Sequence, residues 1–400
     1  MIKQAVIFCG GLGKRLNKIT KKIPKPMVIV QNKPFLEHLI IQLKKNGIKE
    51  IILLIGYKGE IIKNYFLNGK KFKIKIKYSF LPPKKKTGSR LYKIKNKLDS
   101  KFVLMYCDNY SSINLHKINS HLSLSKKKMI ICLSKKKNGN CTLNKDMSIN
   151  YDLNRNKKNQ FVEIGYMIIK KELLNNLNKK DENFSDFIHE LSKKKLIQGY
   201  VQENGYTSIS DQKRLKKTRE LFSNNNYILI DRDGVINNKS SKQRYITQLR
   251  HLKINTSQCE KLPKTANYIC ITNQAGVSTG DLNIRDLKQI NQKIKYLLKM
   301  RSLKLIKFYI STHHFTSNSF FRKPRPGLFF SASKFYNFVL DKTFYIGDDL
   351  RDIEAAYNAN TFIFYVGKKK LTAEQKRKYR YTLLKKNIKK TFDEKIRYEF

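Results

Sequence analysis

Apolar residues in this chain fall in short, strand-sized runs separated by helical stretches and polar turns. Ala5–Phe8, Ile51–Ile55, Ile74–Phe80, Phe102–Tyr106 and Met129–Leu133 read as buried strands. They are short, rich in β-branched and aromatic residues, and bounded by polar or glycine-containing segments. Pro34–Asn46 spaces its apolar residues at the helical period and is stopped by Gly47. The pattern starts again at Tyr227, with strands at Tyr227–Ile230, Tyr268–Ile271, Phe308–Ser311, Thr343–Ile346 and Thr361–Tyr365. A helix at about Ile284–Met300 lies between two of them. Strand and helix alternating twice over predict an α/β protein with parallel sheets in both halves. The polar link Ser223–Asn226 marks the boundary, so the expected domains are 1–222 and 227–367. Residues 368–400 read as a basic helical tail, a solvated appendage.

A length of 400 residues suits two domains, and a hydrophobic content of 40% supports a core in each. The apolar runs are too short to span a bilayer, so no membrane partner is expected. Met1–Gly10 enters a strand and a glycine turn directly, without the features of a signal peptide, and points to the cytoplasm. The six cysteines form no CxxC pair and read as reduced, buried small hydrophobes.

The formal net charge is +54. Lysine is spread over the whole chain beside Asn and Ile, the composition of an AT-rich genome. Nucleic-acid binding concentrates basic residues on one face, and no such motif is present. No specific nucleic-acid partner is expected. A basic scaffold associated with nucleic acid remains the alternative of a different class.

Acidic residues number only 30, yet five fall in two strand-end clusters. The first is Asp231-Arg-Asp-Gly, after the apolar run Ile228–Ile230. Its two carboxylates, two residues apart, project to one side and suit a nucleophile with a general acid/base around a metal ion. The second is Gly347-Asp-Asp-Leu-Arg-Asp352.

Four ordered motifs make this half resemble the haloacid dehalogenase (HAD) phosphatases. They are Asp231–Asn237, Ile271-Thr-Asn-Gln-Ala-Gly-Val277, Arg322-Lys-Pro-Arg-Pro-Gly327 and Gly347–Asp352. The match is to the branch containing heptose bisphosphate and histidinol-phosphate phosphatases. The resemblance implies a capless, Rossmann-like three-layer fold. It makes Asp231 the nucleophile that forms an aspartyl-phosphate and Asp233 the acid/base. Thr272 and Lys323 would hold the phosphoryl oxygens, and Asn273, Arg322 and Arg325 the substrate. Mg²⁺ would be bound by Asp231, the Asp233 carbonyl, Asp348 and Asp349, with Asp352 a further candidate. That branch often carries a zinc loop of one His and three Cys before the third motif. Here His313 and His314 remain without any cysteine, so zinc is not expected.

In the first half, Gly10-Gly-Leu-Gly-Lys-Arg-Leu16 follows the first strand. Glycines there let backbone N–H groups approach phosphate oxygens. The spacing fits neither GxGxxG nor a P-loop. With Pro24-Lys-Pro-Met27 and Lys33-Pro-Phe-Leu-Glu-His38, it resembles the sugar nucleotidyltransferases, a second Rossmann-like three-layer fold. In that family a sugar 1-phosphate attacks the α-phosphate of a nucleoside triphosphate. The resemblance makes Arg15 and Lys25 the groups that neutralise the phosphates. It assigns Gly10, Gly11, Gly13, Lys14 and Gly88 to the nucleotide, Glu163 and Gly165 to the sugar, and Asp108 to Mg²⁺. One departure stands out. Where the family often has a second metal aspartate this chain has Ser208, and Asp211 is displaced by three residues.

Together the resemblances imply a bifunctional enzyme of nucleotide-sugar synthesis acting on phosphosugars and an NTP, with GTP favoured. The phosphatase would remove the 7-phosphate of a heptose 1,7-bisphosphate and the transferase would activate the product. The alternative is a phosphatase of another ester, histidinol-phosphate-like, joined to a transferase of other specificity or to an inactive one. A homo-oligomer is compatible with the sequence.

Overall fold

The computed structural model describes residues 2–177, 182–224, 226–239, 245–384 and 387–399, with side chains of the last helix described through Asp393; Asn225 of the predicted link lies outside this set. The chain divides into two compact units, Met1–Arg219 and Glu220–Phe400. Among the described residues no helix is long and apolar enough to cross a membrane.

The first unit is built on a nine-stranded sheet. Gln4–Cys9 lies between Glu50–Ile55 and Lys101–Tyr106 and runs parallel to both, and Lys75–Phe80 continues the parallel set. All six residues of Gln4–Cys9 are buried, as expected for a central strand covered on both faces. The expectation of a wholly parallel sheet fails at Phe161–Lys170. That ten-residue strand pairs antiparallel with both Lys101–Tyr106 and Met129–Lys135. Helix Phe35–Lys45 ends where Gly47 takes a left-handed φ of 88°.

The second unit holds a five-stranded sheet in the order Lys304–Ser311, Asn267–Asn273, Tyr227–Ile230, Phe344–Gly347, Phe362–Tyr365. Every pair is parallel. The chain moves outward from Tyr227–Ile230 in one direction, then returns to its other side. The strand order therefore reverses beside the first strand, the place where open α/β sheets bind ligands. Helix Ile284–Lys299 buries Leu287, Ile290, Ile294 and Leu298, a 3.6-period stripe.

The tail is not a solvated appendage. Helices Ala373–Tyr379 and Ile388–Glu399 place Tyr379, Ile388 and Phe392 in the core. Between them Thr382–Leu384 runs beside the edge strand: Ile363 N–H donates to Thr382 and Leu384 N–H donates to Ile363. The segment covers an edge that would otherwise be open. Its lysines hid three apolar anchors spaced too widely for a clear helical stripe. Phe392→Ala is expected to destabilise the second unit by about 3 kcal/mol, read by urea unfolding followed through phosphatase activity. An unchanged midpoint would return the tail to solvent.

Candidate active sites

In the first unit the parallel strands end on one edge and frame a cleft of about 670 Å³. Gly10, Gly11, Gly13, Lys14, Arg15, Lys25, Asp108 and Glu163 all line it. The glycine turn opens into a short 3-10 turn, Lys14–Leu16, and Gly13 takes a left-handed φ of 65°. Gly10 has a second constraint, because a side chain there would collide with the Arg90 guanidinium. Arg90 is buried and donates to the carbonyls of Ile55, Leu81, Pro82 and Lys85, pinning the strand-end loops. Lys86 and Thr87, not Gly88, face the cleft. Gly88 packs against the Glu182 carbonyl, to which its N–H donates at 3.0 Å. Gly165 likewise lies outside the lining; with a φ of 79° it lies against the Tyr106 ring.

Lys25 lies 2.5 Å from the Asp108 carboxylate. The strand pair Thr207–Ser208 with Asn109–Tyr110 brings the serine segment beside that aspartate. Ile209 N–H donates to the Asp108 carbonyl at 2.9 Å, and Ser210 Oγ to its carboxylate at 3.4 Å. Ser208 and Ser210 hydrogen-bond each other. Asp211 is turned away: it accepts from Arg214 N–H and pairs with that side chain. One carboxylate with neighbouring hydroxyls is a sparse cation site. A divalent cation there would need substrate phosphate oxygens to complete its shell.

Glu163 accepts from Gly165 N–H at 2.6 Å. Burial, then repulsion from Asp108, pushes its carboxyl up to about 7, with the Gly165 bond opposing.

In the second unit the motifs converge at the strand ends around a pocket of about 310 Å³. Asp231, Asp233, Thr272, Asn273, Arg322, Lys323, Asp348 and Asp349 line it, as does Asp352. Arg325 does not; it is exposed. Lys323 is buried, with Nζ 2.8 Å from Asp231 and 2.8 Å from Asp352. The loop carrying it is tied to the strand end, since Asn273 and Lys323 exchange side-chain and backbone hydrogen bonds of 3.0 Å each. Burial pushes Asp231 upward and Lys323 opposes it. Lys323 keeps its proton, because the two carboxylates outweigh its own burial. Asp233 is held below its ordinary value although burial alone would raise it: Arg232, then Asn237 and Gln274, prevail.

The third carboxylate of the cluster is Asp352 rather than Asp349. Asp231, Asp348 and Asp352 offer oxygens within 4.8 Å of one another. Among the described residues, Asp348 Oδ1 is buried without a hydrogen-bond partner, which suits a cation. Asp349 caps helix Leu350–Ala359 and binds Arg351 at 2.9 Å. Asp352, one turn on, points back to accept from the N–H groups of Asp348 and Asp349. Three acidic residues within one five-residue stretch, Asp348–Asp352, look alike in sequence, and only the helix start separates their directions. Lys239, which the sequence did not single out, pairs with Asp348 at 2.6 Å. Gly234 is required twice: its φ is 90°, and a side chain would strike Asp348. His313 and His314 bond the hydroxyls of Ser311 and Thr316 through their Nδ1 atoms.

Residues 4–140 match the nucleotidyl transferase family and residues 228–392 the polynucleotide kinase 3 phosphatase family. Over 199 residues the chain is 36% identical to a D-glycero-alpha-D-manno-heptose 1-phosphate guanylyltransferase of Campylobacter jejuni, covering 48% of this chain and 87% of that relative. The chain belongs to the nucleotidyl transferases and, in its second half, to the HAD-like phosphatases. For that half a Helicobacter pylori D-glycero-beta-D-manno-heptose-1,7-bisphosphate 7-phosphatase is 31% identical over 144 residues, which cover 35% of this chain and 81% of that relative. A Bacillus anthracis structure assigned to glucose-1-phosphate thymidylyltransferase shares the fold of the first half, with a TM-score of 0.50 at 17% identity over 55% of this chain and 95% of that one. The protein is thus a nucleotidyltransferase joined to a phosphatase.

Glu163 gives a pH signature. Its folded value of about 7 exceeds the ordinary 4.5. It therefore stabilises the first unit below 4.5, and this contribution is lost as pH rises through 7. Glu163→Gln is expected to abolish that part of the fall in melting temperature between pH 5 and 8. A parallel pH dependence in both proteins would show that Glu163 is ionised throughout.

Proposed function

We propose that the protein carries out two successive steps in making a nucleotide-activated heptose. The phosphatase removes the 7-phosphate of D-glycero-D-manno-heptose 1,7-bisphosphate, and the transferase joins GMP from GTP to the heptose 1-phosphate formed. The observation that carries this reading is the pairing, in one chain, of halves similar to enzymes named for heptose 1-phosphate and for heptose 1,7-bisphosphate. Those names differ in anomer. Cleavage at O7 leaves C1 untouched, so one anomer must pass both sites. The transferase relative is the more similar of the two, and we assign the α anomer.

In the second unit Asp231 attacks phosphorus, and Asp233 protonates the departing sugar oxygen and then takes a proton from the hydrolytic water. Thr272 and Lys323 hold phosphoryl oxygens, and Arg322, in the pocket wall, receives the rest of the substrate. Asp231, Asp348 and Asp352, with the Asp233 carbonyl, would hold Mg²⁺, which supplies charge neutralisation for a phosphate among carboxylates. In the first unit Arg15 and Lys25 offset charge on the triphosphate while the sugar phosphate displaces pyrophosphate. Asp108 would hold Mg²⁺ together with substrate oxygens. Phosphosugars and GTP are cytoplasmic metabolites, and the six unpaired cysteines accord with that compartment.

The test incubates purified protein with Mg²⁺, either anomer of heptose 1,7-bisphosphate, and GTP, ATP or CTP, followed by mass spectrometry. Heptose 1-phosphate and then GDP-heptose are expected, from the α anomer. Asp231→Asn should slow dephosphorylation by about 10³-fold or more and leave transfer to supplied heptose 1-phosphate intact. Ser208→Asp should move half-maximal transfer to lower Mg²⁺. Heptose 1-phosphate as the sole product would refute the transferase assignment, and absence of any turnover would refute the heptose.

A further inference from the structure

We propose that Arg232, the residue between the two catalytic aspartates, is the positioning residue for Asp233 and sets the phosphatase's ability to expel poor leaving groups. This rests on reading Asp233 as the general acid.

Among the described residues Arg232 is the largest fully buried side chain, with 0% exposure. A guanidinium in a core is costly unless it is paired and hydrogen-bonded. Its ion-pair partner is Asp233: Nε lies 3.2 Å from both carboxylate oxygens and Nη2 3.1 Å from Oδ1. The rest of the fork is anchored in the fold. Nη2 donates to Gln274 Oε1 at 2.7 Å, and Nη1 to Asn291 Oδ1 on helix Ile284–Lys299 at 3.2 Å. Gln274 closes the ring by donating to Asp233 Oδ2 at 2.7 Å and to Thr272 Oγ1 at 2.9 Å. Asn237 adds a 3.0 Å bond to Asp233 Oδ1.

Asp233 is thereby gripped from three sides, although nothing in the chemistry of the nucleophile needs a cation at this point. Arg232 does not line the pocket, so it cannot touch substrate. Its backbone N–H, not its side chain, donates to Asp231 at 2.8 Å. Main chain and side chain of one residue thus serve different partners: the first orients the nucleophile, the second the acid. An ion pair favours the carboxylate form, so what Arg232 supplies is the aim of Asp233 rather than its proton; replacing the side chain should loosen that aim, weaken acid catalysis and spare nucleophilic attack.

In the first half-reaction Asp231 Oδ forms a bond to phosphorus and the P–O(sugar) bond breaks. The electron pair leaves with the sugar oxygen, which takes the Asp233 proton. In the second, water attacks phosphorus, gives its proton to Asp233 and displaces the Asp231 carboxylate, releasing phosphate. Only the first depends on the leaving group, and kcat/KM reports it. A sugar alkoxide or phenolate is strongly basic and needs the proton, whereas p-nitrophenolate does not.

The experiment measures kcat/KM of the full chain and of Arg232→Met, Arg232→Lys, Gln274→Met and Asp233→Asn. The substrates are heptose 1,7-bisphosphate, phenyl phosphate and p-nitrophenyl phosphate. General acids contribute about 10²- to 10⁴-fold. Arg232→Met is expected to lose about 10-fold or more on the first two and to stay within about 3-fold on p-nitrophenyl phosphate. Arg232→Lys, which keeps charge but not the fork, and Gln274→Met should show smaller losses of the same selectivity. Retained p-nitrophenyl phosphate turnover shows that the variants fold. Equal losses on all substrates in all three supporting-residue variants, or none on any, would overturn the proposal. If Asp233→Asn itself shows no leaving-group dependence, the general-acid reading fails and the proposal with it; if it does and Arg232→Met does not, the proposal alone fails.

Discussion

The second unit depends on one buried ammonium. Lys323 Nζ sits 2.8 Å from Asp231 and 2.8 Å from Asp352, and Tyr345 OH stands 2.7 Å away. Without it, parallel strands could not deliver their carboxylates to one small pocket. Coulomb repulsion between unscreened like charges in a buried site is several kcal/mol even at an intermediate dielectric. The exchange of hydrogen bonds between Asn273 and Lys323 shows how this charge is aimed: a strand end carries the loop, and the loop carries the lysine. Asp348 pairs with Lys239 through one oxygen and, among the described residues, keeps the other buried without a partner.

The first unit solves a different problem with fewer parts. Among the described residues its cleft is lined by many cations and by two carboxylates, Asp108 and Glu163. A nucleoside triphosphate brings its own negative charge, so the protein must attract charge rather than disperse it. Lys25 on Asp108 is consistent with this: the carboxylate is already balanced before any ligand arrives. The serines that stand beside it offer oxygen without charge.

The fold was largely legible in the sequence because the apolar runs of both units end directly in their motifs. Asp231, Thr272 and Asp348 each follow or close a parallel strand, so contiguous sequence became shared space. The antiparallel strand Phe161–Lys170 was not legible, since direction is set by partners far away in the chain. The choice between Asp349 and Asp352 turned on a helix cap. Arg232 and Arg90 were hidden for a compositional reason. Among 84 basic residues, two that are wholly buried carry no mark of it, and only the count of carbonyls and carboxylates around each guanidinium reveals them.

That contrast changes how the net charge of +54 should be read. Exposed lysines in such numbers contribute little individually, because water and salt screen them. The few buried cations are a separate population with fixed partners: Lys323 with Asp231 and Asp352, Arg232 with Asp233, Arg90 with four carbonyls. Compositional drift can multiply the first group without touching the second. A chain can therefore become strongly basic overall while its two reaction centres keep local charge balances set by geometry. In the second unit the cations with fixed carboxylate partners, Lys323 and Arg232, are those that solvent does not reach.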